Sequence, residues 1–265
     1  GLRLAGCFWG ITPSDTVHKY HPDEDRVLAM TLDRLKGKPL NDCYPPGYAF
    51  QVAGVVRLFG GRNYDYGTVV LCGRGLNGAY GVATVLLVGL FGRAVGARRR
   101  TIGAAMAVQA LAGLPVIYSH YATADTSLAF YLLATCLLAY LTWRDGTGWT
   151  WWLGSGTAGL GLAGKLSWVV LVPLVAAVPR LRRGRWLAGL ALLPFCFAIF
   201  VAATQGQYSM ALFRDLLDYA HRDNVLSPEA HSHLLNVLIY AGQLVAGLGL
   251  PACLLAVFAG RGRWG

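Results

Sequence analysis

Apolar and polar positions follow two different patterns along this chain, and the pattern changes near residue 70. From Asp23 to Lys36 the apolar residues recur at helical spacing, with Leu28, Leu32 and Leu35 on one stripe. This run predicts an amphipathic helix. Residues 48–59 are mostly apolar but interrupted by Arg57, and they predict a second helix lying at an interface. Residues 41–47 between them (Asn-Asp-Cys-Tyr-Pro-Pro-Gly) form a turn that no helix crosses.

Beyond residue 70 the apolar blocks lengthen toward the roughly 18–20 residues needed to cross a bilayer. The predicted spans cover residues 76–91, 102–118, 126–143, 186–204 and 236–258. Residues 150–178 are better explained by two short helices, 151–164 and 166–178, which form a broken hairpin with Lys165 at its tip. Irregular backbone of this kind survives at membrane depth only where protein or a water-filled cavity covers it.

Composition supports the membrane interpretation. Hydrophobic residues make up 55% of the chain, charged residues 14%, and the mean hydropathy is +0.46, whereas a soluble domain carries about 25% charged residues. We therefore predict an all-α polytopic transmembrane helical bundle, with residues 1–265 as a single transmembrane domain. Residues 12–68 would be a first outer loop carrying the amphipathic surface helix, and residues 205–235 a later outer loop. The chain starts at Gly1 and ends after a basic cluster, so we expect a fragment of a longer protein.

The net charge of +10 is mostly arginine, and the arginines cluster between apolar blocks. This is the positive-inside pattern of short cytoplasmic loops, whereas a nucleic-acid-binding protein would spread basic residues over a solvated face. With this topology 12 of the 13 acidic residues lie on the outer side. We predict a multi-pass protein of a plasma (inner) membrane, and the Arg/Ala/Gly/Leu bias favours a bacterial one. The clusters are Arg98–Arg100, then Arg180, Arg182, Arg183 and Arg185, then Arg261 and Arg263.

Cysteine and histidine spacing gives little sign of a metal site. The six cysteines are scattered singly, which argues against a metal cluster or a disulfide framework, although a Cys7–Cys43 bridge remains open. Asp223 with His221, His231 and His233 is a weak metal signal and is better explained as a solvated loop. We predict no metal site, while a requirement for a divalent cation stays open.

Five charged residues are candidates for chemistry, and each has a simpler explanation. Asp23 and Glu24 follow Pro22 and could merely open a solvated helix whose dipole favours acids. Asp125 could be a helix cap, Lys165 could extend to the interface, and Arg74 could be an anchor. Ionisable residues near membrane spans are nevertheless functional candidates, because their unpaired burial is unfavourable by several kcal/mol. His120 and Tyr121, in the polar link before Asp125, are further candidate substrate contacts.

The order of five motifs resembles the GT-C glycosyltransferases, in the branch of protein O-mannosyltransferases and lipid A aminoarabinose transferases. The motifs are Asp23-Glu24, the turn Tyr44-Pro45-Pro46, Arg74-Gly75-Leu76-Asn77-Gly78, Asp125-Thr126-Ser127, and the glycine-rich run 159–164 reaching Lys165. The resemblance covers roughly residues 20–200 and corresponds to the N-terminal half of the family. A family lysine before the proline turn is replaced here by Tyr44.

The resemblance implies an enzyme that transfers a sugar from a polyprenyl-phosphate donor to an acceptor hydroxyl at the outer face, with inversion. Asp23, or its neighbour Glu24, would be the catalytic base, and Lys165 and Arg74 would bind the donor phosphate. The acceptor could be protein, lipid or glycan. The main alternative is a transporter or flippase of an amphipathic lipid, with Lys165 and Asp125 as a midplane ion pair; an inactive lipid-binding scaffold is a third.

Overall fold

The computed structural model describes residues 5–8, 22–38, 45–60, 64–146, 148–165 and 167–178, and every regular element among them is helical. Short 3₁₀ turns occur at Gly6–Phe8 and Trp168–Leu171. The α-helices are α1 (Pro22–Leu35), α2 (Gly47–Phe59), α3 (Tyr66–Ala94), α4 (Arg99–Leu111), α5 (Gly113–Tyr118), α6 (Ala124–Asp145), α7 (Gly148–Gly164) and α8 (Val172–Ala177). The predicted spans 186–204 and 236–258, the loop 205–235 and Cys43 lie outside the described residues.

Among the described residues, two helices, α3 and α6, are long and apolar enough to cross a membrane. At 1.5 Å per residue they measure about 43 and 33 Å, against a hydrocarbon core of about 30 Å. The sequence placed the start of the first span at Leu76, but α3 begins ten residues earlier. Asp65 caps it by accepting from the Thr68 backbone N–H at 2.6 Å. Arg74, which interrupts the apolar block, is buried within the helix.

The predicted span 102–118 is wrong as a continuous helix, because it breaks into α4 and α5 at Ala112. Pro115 explains the break: its ring would clash with the carbonyl of Leu111, and it has no N–H to donate there. Helix α4 still runs antiparallel to α3. Cβ atoms added at Gly89 and Gly92 would meet Met106 and Ile102, so the contacts on α4 run in the opposite order to those on α3.

The broken hairpin around Lys165 is confirmed, although its two arms are unequal. Helix α7 ends at Gly164, and the chain then reverses, so that Cβ atoms added at Gly161 and Gly154 would meet Val170 and Leu174. The first arm is about 25 Å long and follows α6 for most of its length. Small buried residues allow that contact, and two threonine pairs hydrogen-bond across it, Thr142–Thr150 at 2.7 Å and Thr135–Thr157 at 3.0 Å. The second arm is a 3₁₀ turn followed by the short α8 instead of one helix.

The amphipathic helix is confirmed as α1, but protein covers its apolar stripe. Val27, Leu28 and Met30 are buried in a core shared with α2 and the start of α3. Thr31 reinforces the contact by donating to the Ala49 carbonyl at 3.3 Å. Protein therefore covers this stripe, because α2 presents a complementary apolar face to it, while the surface position of the outer loop 12–68 stays a prediction.

This arrangement gives the described bundle two chemically different ends. The acidic end contains the starts of α1 and α6 and the Lys165 turn. The arginine end contains the α3–α4 turn, with Arg93 and Arg98–Arg100, and the α6–α7 turn, with Arg144 and Asp145. A hydrogen bond of 3.1 Å from Arg144 Nη1 to the Ala94 carbonyl joins the two turns of the arginine end, so these basic residues share one end as the predicted topology requires.

Candidate functional site

Glu24 and Arg74 form a buried ion pair at the acidic end. Arg74 Nε donates to Glu24 Oε1 at 2.8 Å, and Nη2 donates to Oε2 at 3.0 Å, which is the bidentate geometry that arginine and carboxylate favour. The side chains are only 3% and 6% exposed. The Glu24 side chain is buried because it lies one turn before Leu28, on the same inward-facing stripe of α1 as Thr31 and Leu35. Glu24 is therefore not the solvated acid of an ordinary helix start.

The same carboxylate also holds the link between α5 and α6. The Ala122 backbone N–H donates to Glu24 Oε1 at 2.8 Å. A close approach makes this possible, since a Cβ on Gly73 would lie 2.7 Å from the Ala122 Cβ. Glu24 thus connects α1, α3 and the link through one side chain.

Asn77, one turn after Arg74, fixes that link from the other side. Its Nδ2 donates to the Tyr121 carbonyl at 2.6 Å and to the Thr123 carbonyl at 2.7 Å. Both hydrogens of the amide are used, and the side chain is fully buried. Sequence reasoning placed Asn77 in a motif without giving it a role; its position three residues after Arg74, on the same helix face, was the available signal.

The second ion pair joins Asp125 to Lys165, at 2.5 Å between Oδ1 and Nζ. The side chains are 30% and 36% exposed, so this pair stays accessible to solvent or ligand. Asp125 lies in the first turn of α6, where a carboxylate interacts favourably with the helix dipole. Lys165 follows the end of α7, which is held by close backbone packing: a Cβ on Gly47 would overlap the Ala163 carbonyl.

The remaining predicted residues surround these pairs. Asp23 is half-buried beside Glu24, while His120 and Tyr121 are half-buried in the link. A Cβ on Gly6 would collide with the His120 imidazole, so the 3₁₀ turn Gly6–Phe8 passes over that ring. Cys7, in the same turn, is buried, and its thiol donates to the Arg74 carbonyl at 3.6 Å. The structure thus gathers all the predicted residues at one end.

Tyr48 is a further buried polar residue near Glu24 that sequence reasoning missed. Its hydroxyl donates to the Gly73 carbonyl at 2.9 Å, and the side chain is completely buried. Burial raises the pKa of Tyr48 well above its usual range, and the neighbouring Tyr80 and Glu24 raise that pKa further. The neutral phenol is therefore a fixed hydrogen-bond donor that fastens α2 to α3.

The site consists of two ion pairs, Glu24–Arg74 and Asp125–Lys165, together with the Asn77 side-chain amide and the Ala122 backbone N–H. Among the described residues, no group of three or more His, Cys, Asp or Glu side chains is positioned to hold a metal ion. No protein-family model, curated protein or solved structure matches this chain.

Proposed function

We propose that this chain belongs to an integral-membrane glycosyltransferase that moves a sugar from a polyprenyl-phosphate donor to an acceptor hydroxyl. The observation that carries the proposal is the Lys165–Asp125 pair, about one-third exposed, at the same end of the bundle as Asp23. The reaction needs a carboxylate to accept a proton and a cation to stabilise the departing phosphate. Asp23 and Lys165 supply these two kinds of group at this end.

A position within the membrane is supported by where the apolar side chains lie. Of the 18 consecutive residues that form the most apolar part of each helix, only 28% are buried in α3 and 44% in α6. The core helix of a soluble protein is mostly buried. Outward-facing side chains on α3 include Val82, Leu86 and Leu90, which recur every four residues. We propose a polytopic GT-C-like bundle in a bacterial plasma membrane, with the acidic end at the outer face.

Asp23 is the proposed catalytic base. The acceptor oxygen attacks the anomeric carbon, the bond from that carbon to the phosphate oxygen breaks, and the acceptor proton passes to the Asp23 carboxylate. Polyprenyl phosphate leaves from the opposite side of the carbon, which inverts its configuration. A positioned base contributes about 10²–10⁴-fold to such a step.

Glu24 and Arg74 are assigned a positioning role. Both oxygens of Glu24 already accept hydrogen bonds, and the Arg74 guanidinium is turned toward that carboxylate in a buried setting. Binding a donor phosphate at Arg74 would leave Glu24 as an uncompensated buried charge, which is strongly destabilising. The pair instead fixes the first turn of α1, and with it the neighbouring Asp23.

Lys165 is the proposed partner of the donor phosphate. Asp125 holds the ammonium group at the surface of the acidic end, and the exposure of both side chains lets an entering phosphate share the lysine. The close packing of Gly47 and Ala163 fixes the backbone just before Lys165, so the cation is placed in advance of binding.

The transporter alternative gains one observation, because Lys165 and Asp125 do form the ion pair that it requires. The position of this ion pair along α6, however, favours the glycosyltransferase over the transporter. Asp125 is the second residue of the 22-residue α6, so the pair lies near a helix end, whereas alternating-access sites lie near the midplane.

The test is release of free polyprenyl phosphate from a panel of polyprenyl-phosphate sugars by the full chain in detergent. We expect release by the wild type and at least a ~10²-fold lower rate for Asp23→Asn. Asp33→Asn is the matched control, since Asp33 lies on the same helix and its ion pair among the described residues is with the exposed Lys38, at 3.9 Å. Equal rates in wild type and Asp23→Asn, with both proteins folded, would exclude Asp23 as the base. Release from none of the donors would contradict the donor class and favour the transporter.

A further inference from the structure

The α3–α4 turn gathers four exposed arginines that the proposed reaction does not use. Arg93 lies in the last turn of α3, and Arg98, Arg99 and Arg100 stand at the start of α4. The reversal is tight because Gly96 adopts a φ of 76°, a conformation that favours glycine. Hydrogen bonds from Gly96 to the Arg93 carbonyl and from Ala97 to the Gly92 carbonyl close it. These four arginines are called the basic surface below.

The acid at this end does not neutralise the basic surface. Asp145 is held by Arg144, whose Nε and Nη2 donate to its two carboxylate oxygens at 2.6 and 2.8 Å. Within the described ranges, the side chains of Arg93 and Arg98–Arg100 make no ion pair. Among the described residues the basic surface therefore carries four positive charges without an acidic partner, while the adjacent Arg144–Asp145 pair carries no net charge.

The placement of three of these arginines works against the helix that contains them. The start of a helix carries a partial positive charge, and acids, not cations, are stabilising there. The first turn of α4 contains no acid, and Arg98 at its N-cap makes no side-chain capping bond. An anion supplied from outside the chain would offset both the mutual repulsion and the unfavourable dipole interaction.

Exposed aromatic and apolar side chains border the basic surface. Trp143 and Trp149, on either side of the α6–α7 turn, are 45% and 61% exposed, and Trp152 is 45% exposed. Val95, within the α3–α4 turn, is exposed as well. Tryptophan is enriched where a membrane's headgroups meet its hydrocarbon. A ligand that suits this neighbourhood presents phosphate beside an apolar body.

We propose that the basic surface binds the headgroup phosphates of anionic phospholipids, with the exposed tryptophans at the level of the headgroup boundary. The inference rests on the membrane location in the proposed function, but it concerns the opposite end of the bundle from the reaction. Its role is to fix the depth and orientation of the bundle, and thereby to hold the acidic end at the other interface.

The experiment reconstitutes the full chain in phosphatidylcholine vesicles that contain spin-labelled phosphatidylglycerol or spin-labelled phosphatidylcholine. The fraction of motionally restricted label gives the relative association constant of each lipid. We expect the wild type to prefer phosphatidylglycerol by at least about fivefold, the effect of one basic residue beside an anionic surface. The preference should fall as salt is raised from about 50 to 500 mM.

The triple variant R98Q/R99Q/R100Q should lower the preference most strongly, and the single variant Arg93→Gln should lower it less. The double variant R144Q/D145N is the matched control, because it removes the adjacent ion pair without changing the net charge, and it should keep the wild-type preference. If the triple variant fails to fold, Arg93→Gln and the salt series still decide the matter. Equal association of the two lipids with the wild type would overturn the proposal.

A soluble phosphate source is distinguished by adding inorganic phosphate at an ionic strength matched with sodium chloride. Equal effects of the two salts support the lipid headgroup as the ligand. A much larger effect of phosphate would identify a site for small anions and overturn the lipid assignment. Donor turnover is not needed for either measurement, so a failed transferase assay with an intact lipid preference would refute only the reaction.

Discussion

Two acid–base pairs stand at the same end of this bundle, and they differ mainly in how far water reaches them. Glu24 and Arg74 are almost completely buried and share two hydrogen bonds, with a third from the Ala122 backbone. Asp125 and Lys165 are about one-third exposed and share one described contact. The first pair connects three segments of the fold, whereas the second joins the start of one helix to the turn after another.

Burial decides what each pair can do. A buried charge cannot exchange its partner for a ligand without a large desolvation penalty, so the Glu24–Arg74 pair holds structure. An exposed pair contributes about 0–1 kcal/mol to stability, because water competes for both ions. Exposure is therefore the reason why the proposed function assigns the Asp125–Lys165 pair, and not the buried pair, to the donor phosphate.

The largest effect is expected from Arg74→Met, which leaves the Glu24 carboxylate buried without its cation. The free energy of unfolding should fall by about 3–5 kcal/mol, measured by denaturant titration in mixed micelles. Arg57→Met is the control, since Arg57 is exposed in the last turn of α2, and it should change stability by less than about 0.5 kcal/mol. A swapped pair, E24R/R74E, should not recover stability, because the Ala122 N–H would then face a cation. Recovery would show that only the opposite charges matter.

Asn77→Leu should have the next largest effect, because it leaves the Tyr121 and Thr123 carbonyls without their described donor. A buried group that loses its hydrogen bond is unfavourable by about 1–3 kcal/mol, so we expect a loss of at least about 2 kcal/mol. Hydrogen exchange at the link 119–123 should accelerate in parallel. Unchanged exchange there would mean that Asn77 does not hold the link.

Gly73→Ala and Gly75→Ala form a matched pair on one helix, with opposite expected signs. A Cβ at Gly73 would lie 2.7 Å from the Ala122 Cβ, whereas one at Gly75 meets nothing within 4 Å. Displacing the link should destabilise Gly73→Ala by about 1–3 kcal/mol. Gly75→Ala should gain up to about 1 kcal/mol from helix propensity. The melting temperatures of the two variants test this prediction. Equal shifts in melting temperature would contradict the close approach of Gly73 to Ala122.

Lys165→Gln should have the smallest effect on stability, below about 1 kcal/mol, because its ion pair is exposed. For the same reason the contribution of this pair should shrink between about 50 and 500 mM salt, while the buried Glu24–Arg74 pair is screened much less. A double-mutant cycle with Asp125→Asn at the two salt concentrations measures this. A salt-independent coupling above about 2 kcal/mol would place Lys165 in the scaffold.

The sequence predicted the helices better than it predicted their contacts. The amphipathic period of α1 and the break at Lys165 were readable from spacing, and Asp125 and Lys165 were expected at one boundary. The break between α4 and α5 was also readable, since Pro115 forbids a continuous helix, but the apolar run obscured it. The sequence did not predict that α2 packs against the apolar stripe of α1, because this contact depends on how the surfaces of two separate helices fit together.

The Glu24–Arg74 pair shows the limit most clearly. Helical spacing from Leu28 indicates that Glu24 points inward, and the glycines around Arg74 indicate a close approach on α3. Neither signal identifies the partner, which lies 50 residues away. The Ala122 N–H that completes the site is a backbone group with no signature in the sequence.

The central claim, that the buried pair holds the fold and the exposed pair serves the reaction, is tested most directly by two readouts on the same preparations. Arg74→Met and Lys165→Gln would be compared with the wild type for melting temperature and for polyprenyl-phosphate release per folded molecule. The account predicts that Arg74→Met melts much earlier, whereas Lys165→Gln melts like the wild type and loses release by at least about 10²-fold. A folded Lys165→Gln protein that releases polyprenyl phosphate at the wild-type rate would contradict it.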